Sequence, residues 1–169
     1  MPVAANLLLA AWLGAAALFI ASVAPTAFAV LPARALAGAV VGRVLPVVFI
    51  TGMAAATGAF LLDWPYARTS ADRWRSGALV VALIANATAQ FAIAPRIQAL
   101  RAEMGPVIEA LATDDPRRRA FGLLHAISVG WLGVAIVAVI VALVAHASAA
   151  RAVAAHALAS RAMTAAPTS

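Results

Sequence analysis

Charged residues punctuate this chain more than they populate it. Four stretches carry no Asp, Glu, Lys or Arg: Pro2 to Ala33, Val44 to Leu62, Ser76 to Pro95 and Ala120 to Ala150. Each is near or above the roughly 18 residues that cross a bilayer as a helix. The pattern predicts an all-α integral membrane four-helix bundle with short loops. Its spans lie at about 3–30, 33–62, 76–101 and 116–147. Residues 1–147 then form one membrane domain, and 148–169 an Ala-rich C-terminal tail that frays near Ala165-Ala166-Pro167.

The chain turns most tightly at Leu31-Pro32-Ala33, which makes the first two helices antiparallel neighbours. Just before it, Ser22 and Thr26 share a face, with Pro25 between them. Proline frees a carbonyl one turn back, and in hydrocarbon that group needs a partner. This end of the first helix is therefore expected to face protein. Just after the turn, Gly38 and Gly42 form a small-xxx-small step that lets helices approach closely. An alternative, a signal peptide cleaved after Ala27-Phe28-Ala29, fails. No Lys or Arg opens the chain, and the apolar run exceeds the ~7–15 residues of such a segment.

Polar positions inside the spans supply the candidate chemistry. Arg34 can snorkel to the interface. Arg43 lies about 13 Å further along the helix, with no Asp or Glu in the spans to balance it, and ionisable residues at such depth are functional candidates. Asn86 and Gln90, one turn apart, are expected to bond across helices. His125 and Ser128 share a face with Phe121, and His125 is expected as a core imidazole bonded to Asn86, Gln90 or Ser128. His146 falls about 30 Å from His125, at the opposite surface. Between the second and third spans, Trp64, Tyr66 and Trp74 form an aromatic belt, with Arg68, Arg73 and Arg75 outside it. Gly105-Pro106 breaks the most polar segment, and 107–112 is expected as a short surface helix. Asp115-Pro116 then starts the fourth helix as N-cap and first residue, with Arg117 to Arg119 as a headgroup anchor.

Composition agrees with the span pattern. The 169 residues are 65% hydrophobic and 11% charged, with a mean hydropathy of +0.99; soluble domains carry about twice that charge. No cysteine is present, so disulfide and thiolate chemistry is excluded. All basic residues are Arg, and the net charge of +6 points to anionic headgroups as neighbours. Nucleic acid is a poor partner, since the arginines flank spans instead of forming a groove. Seven arginines on one side against five on the other favour both termini outside, in a bacterial inner membrane.

Three blocks carry a resemblance. The first runs Phe19, Ser22, Pro25, Phe28, Leu31, Arg34, Ala37-Gly38, Gly42, Leu45-Pro46. The second is Asn86 followed by Pro95-Arg96-Ile97-Gln98-Ala99-Leu100-Arg101. The third is Phe121-Gly122-Leu123-Leu124-His125-Ala126-Ile127-Ser128. In order and spacing they resemble the transmembrane-protein-205-like group (domain of unknown function 4149), four-helix membrane proteins. That family tends to place Asn where this chain has Leu132. The group is more distantly similar to copper-resistance-D and haem-linked bundles, and that resemblance implies metal or haem chemistry.

Three functions remain open at this stage. The foremost is a non-enzymatic scaffold or accessory subunit, packed against other membrane subunits or against copies of itself. It follows from the small-residue faces and the lack of an acid–base pair in the spans. The second is a haem- or copper-handling redox protein with His125 as ligand. All three histidines lie on the fourth helix or beyond it. A bis-His haem bridging two helices of one chain is therefore excluded, leaving His125 with Met53, with an open site, or with a second copy's His125. The third is a small transporter or export factor in which Arg43, Asn86, Gln90 and His125 line a polar path.

Overall fold

The computed structural model describes residues 3–66, 69–104, 112 and 114–165, with side chains for these except Tyr66 and several positions after Ser148. The chain runs through four helices: α1, Val3–Val30; α2, Arg34–Asp63; α3, Ser70–Met104; and α4, Pro116–Ala165. Each contains a segment long and apolar enough to cross a membrane, and no strand occurs among the described residues. The protein is thus an all-α, membrane-type four-helix bundle. The α3 helix packs along α4 and α2, while α1 lies along α2 and touches α4. The expected surface helix at 107–112 falls almost wholly outside the described residues.

The buried positions recur at three- and four-residue steps, which places them on one face of each helix. On α1 they are Ala5, Leu9, Trp12 and Ala16; on α3, Ala78, Leu79, Ala82, Ala85 and Ala89; on α4, Leu132, Ala135, Val139 and Ala142. Alanine dominates because lipid tails are as apolar as any side chain. Helices in a bilayer gain from close backbone approach and from hydrogen bonds, not from leaving water. One such bond ties α1 to α2: the Trp12 indole N–H donates to the Val48 carbonyl at 2.9 Å. Gly52 makes room for it. A Cβ on Gly52 would stand 2.8 Å from the Trp12 indole and 2.7 Å from Asn86 Oδ1. Three helices therefore converge on one missing side chain.

Prolines bend the register of two helices. The segment Phe19–Val23 in α1 and the segment Thr88–Ile93 in α3 are π-helical turns, each ending two residues before a proline, Pro25 and Pro95. The Ala24 N–H reaches back to the Phe19 carbonyl and the Ala94 N–H to the Ala89 carbonyl, five residues each. The wider turn accommodates a ring that clashes with the carbonyl four residues back. Beyond it Ala24 and Ala27 are the residues that pack, half-buried, against the core. Ser22, Pro25 and Thr26 are exposed, and Ala24–Val30 buries no residue. The expected packing of Ser22, Pro25 and Thr26 against the rest of the chain is not met, because the π turn rotates that face away.

The third helix starts earlier than the charge pattern implies. Thr69 caps it: its hydroxyl oxygen accepts from the Asp72 N–H at 3.2 Å, and Asp72 Oδ2 accepts from the Thr69 N–H at 2.8 Å. This reciprocal pair is a capping box. It brings Asp72 and Arg75 into the helix and buries both, so Arg75 does not lie among the outer headgroup arginines. Trp64 and Trp74 remain exposed, as a belt requires, and Arg73 is exposed as well. At the start of α4, Asp115 Oδ1 accepts from the Arg117 N–H at 2.8 Å, and the Arg117 guanidinium holds the Asp115 carboxyl down at about 2.

Gly52→Ala is expected to destabilise the bundle by about 1–3 kcal/mol through overpacking against Trp12 and Asn86. Thermal unfolding of the two proteins in the same mild detergent checks this; an unchanged midpoint would show that the three helices do not meet there.

Candidate functional site

Two arginines on α3, one near each end, bridge α2 and α4. At the first end Arg75 is almost wholly buried. Its Nε donates to Asp63 Oδ2 of α2 at 2.6 Å, and its Nη1 donates to the Ala142 carbonyl of α4 at 2.8 Å. Asp63 Oδ1 and Arg75 Nη2 find no partner among the described residues. The pair is neutral overall. It is held by a charge-assisted hydrogen bond, among the stronger kinds.

At the other end Arg101 is half-buried. Its Nη1 donates to the Gly38 carbonyl of α2 at 2.9 Å, and its guanidinium carbon lies 5.3 Å from the centre of the Phe121 ring on α4. Phe121 in turn stacks on His125, with ring centres 6.3 Å apart and nearly parallel. Arg101 Nε has no partner among the described residues. The glycines of α2 serve this guanidinium. A Cβ on Gly38 would be 2.7 Å from Arg101 Nη2, and one on Gly42 would be 3.1 Å from Nη1. Gly38 and Gly42 thus form a cradle for a side chain and not a backbone-to-backbone contact. Pro46 adds to the site, since it leaves the Gly42 carbonyl without its usual helix donor.

Beside Arg101 a cleft of about 400 Å³ opens between α2, α3 and α4, with the end of α1 adding to its wall. Its wall includes Arg34, Gln98, Arg101, His125 and Ser128, together with Phe28, Val41, Leu45, Phe49 and Phe121. Among the described residues none that lines it is acidic. Ser128 is buried, whereas Arg34, Gln98 and His125 are exposed along the opening.

Of the residues singled out in the sequence, the structure brings together Arg34, Gly38, Gly42, His125 and Ser128. His125 is not a core imidazole. It is exposed and makes no hydrogen bond to Asn86, Gln90 or Ser128, because Phe121 holds its ring against the outer wall of the cleft. Asn86 is fully buried, but its Nδ2 donates to the Ala82 carbonyl of its own helix at 2.8 Å. Its Oδ1, pressed towards Gly52, and Gln90 Oε1 are without partners among the described residues. The two amides therefore do not bond across helices. Arg43 is exposed and lies outside the cleft, so Arg43, Asn86, Gln90 and His125 do not line one path.

A bound haem or copper finds little to hold it. The cleft wall offers His125 no second imidazole, no thioether and no carboxylate, and no group of three or more His, Cys, Asp or Glu that could hold a metal occurs among the described residues. Within one chain the described cleft residues therefore offer either group a single imidazole. Sequence reasoning missed Arg75, Asp63 and Arg101. Thr69-x-x-Asp72, three residues before Arg75, was the available signal for the first pair.

The family model described as domain of unknown function (DUF4149) matches residues 7–106, more than half of the chain. The protein belongs to the DUF4149 family. No curated protein and no solved structure matches the chain. The DUF4149 match takes in α1, α2 and α3, hence Arg75, Asn86, Arg101 and the glycine cradle. It ends before α4, so Phe121, His125 and Ser128 lie beyond it. The family description carries no activity.

Asp63→Asn should destabilise this DUF4149 protein by about 3–5 kcal/mol, since it leaves Arg75 buried without a counter-charge. Chemical unfolding in detergent measures the loss, and a change below about 1 kcal/mol would contradict a buried pair. His125→Ala, by contrast, removes an exposed ring. A shift within about 0.5 kcal/mol is expected in the same assay.

Proposed function

We propose that the protein is a non-enzymatic membrane component, an accessory subunit that packs against a larger membrane complex. The observation that supports this reading is a ridge of small residues on α4. Gly122, Ala126, Gly130 and Gly133 follow at four- and three-residue steps, and so share one face. All four are exposed. A Cβ on Gly122, Gly130 or Gly133 would meet nothing within 4 Å.

The contrast with the interior glycines gives the ridge its meaning. Gly38 is filled by Arg101, and Gly52 by Trp12 and Asn86. Among the described residues nothing fills the glycines of the α4 ridge. Lipid gains little from a flat, small-residue surface, whereas a second helix gains close approach and backbone contact. The exposed hydroxyls of Ser22 and Thr26 on α1 add groups able to bond across such a contact. The non-enzymatic part rests on chemistry: no carboxylate in the cleft wall pairs with His125 for acid–base work.

The test is native mass spectrometry of the protein extracted from its own membrane in mild detergent. The wild type is expected to carry a second polypeptide. The double variant Gly122→Leu, Gly130→Leu should lose it, with its thermal stability within about 0.5 kcal/mol of the wild type. A bare wild-type monomer, or a partner held equally by the variant, would count against the reading.

A further inference from the structure

We infer that the cleft beside Arg101 binds an anionic amphiphile, a lipid-like molecule whose phosphate or carboxylate head meets Arg101 and Arg34. Charge makes the first argument. The two α3 arginines do the same architectural work, yet only Arg75 has a carboxylate, Asp63 Oδ2 at 2.6 Å. Arg101 has a carbonyl, an aromatic face and an Nε with no partner among the described residues. Arginine does not shed its proton. Arg34 adds a second positive charge to a wall without an acid among the described residues, so these residues leave the site short of negative charge.

Shape makes the second argument. From Arg34 to Phe49 the wall follows α2 for about 22 Å. The charged groups gather at one end, near the α1–α2 turn and the start of α4. Towards the other end the α2 wall becomes apolar, with Val41, Leu45 and Phe49; buried Ser128 is the polar group on the α4 side. A free inorganic anion would use only the first end. A molecule with an anionic head and an alkyl chain uses both, with the head at interfacial depth. Gly38 matters because a side chain there, 2.7 Å from Nη2, would shift the guanidinium, while Gly42 leaves it close packing room.

The experiment is native mass spectrometry of delipidated protein in mild detergent, titrated separately with phosphatidylglycerol, oleate, phosphatidylcholine and inorganic phosphate. Phosphatidylglycerol or oleate should be retained at least tenfold more strongly than phosphatidylcholine. Arg101→Gln should lower that retention about tenfold. Gly38→Ala, which displaces the guanidinium without removing it, should lower it in the same direction, as should the exposed change Arg34→Gln. Arg43→Gln, which removes an equal charge outside the cleft, should leave retention unchanged. Equal retention of phosphatidylcholine would overturn the proposal, as would equal losses from Arg43→Gln and Arg101→Gln, which signal attraction to the general surface charge. Displacement of phosphatidylglycerol by inorganic phosphate alone would overturn the amphiphile and leave a site for a soluble anion.

Discussion

Two arginines near the ends of α3 reach into the bundle, and the arrangement of the helices follows from how each is seated. Arg75 and Arg101 stand about 39 Å apart along the helix, close to the thickness of a bilayer with its headgroups. Each reaches sideways to α2 and α4. The bundle is thus pinned across three helices at both surfaces, while the middle is left to alanine faces and one indole bond. Because apolar side chains gain nothing by leaving lipid for each other, these polar pins set the mutual rotation of the helices. The glycines of α2 are their complement, positions where the backbone itself forms the seat.

The spans were legible in the sequence because charge is scarce enough for its gaps to mark membrane. The same rule misled wherever charge is buried. Arg75 was read as a headgroup residue since it follows Asp72 and Arg73 in a polar stretch, yet helical phase puts it on the face of Leu79, Ala82 and Asn86. Asp63 falls just past the expected end of its span at 62, and its partner twelve residues on cannot be told from Arg73 without the turn of α3. His125 failed for the opposite reason. A lone imidazole in an apolar run suggests a core, but the offset of about 60° that three residues leave on α4 puts Ser128 inside and His125 outside. Gly38 and Gly42 were correctly picked as small, while the object they make room for lies 63 residues away on Arg101.

The two prolines of α1 and α3 show how a local defect acquires a direction. A kink alone would have left Ser22 and Thr26 on the buried side. The π turn adds a residue to the register, so everything beyond it presents a different face. On α3 the equivalent turn has another consequence: it aims Gln98 and Arg101 at the cleft after Asn86 and Ala89 have faced the core. The sequence shows each proline but not the extra residue upstream of it, which is why facing was misjudged while helix position was not.

The length of α4 carries a further consequence. Its 50 residues extend about 75 Å, well beyond the roughly 40–45 Å of a bilayer with headgroups. A helix that leaves the membrane without a break transmits orientation as well as distance. Its outer turns are keyed in angle to Val139 and Ala142 in the core, so a rotation of α4 about its axis inside the bundle turns the outer faces by the same angle, and a tilt is magnified with distance along it.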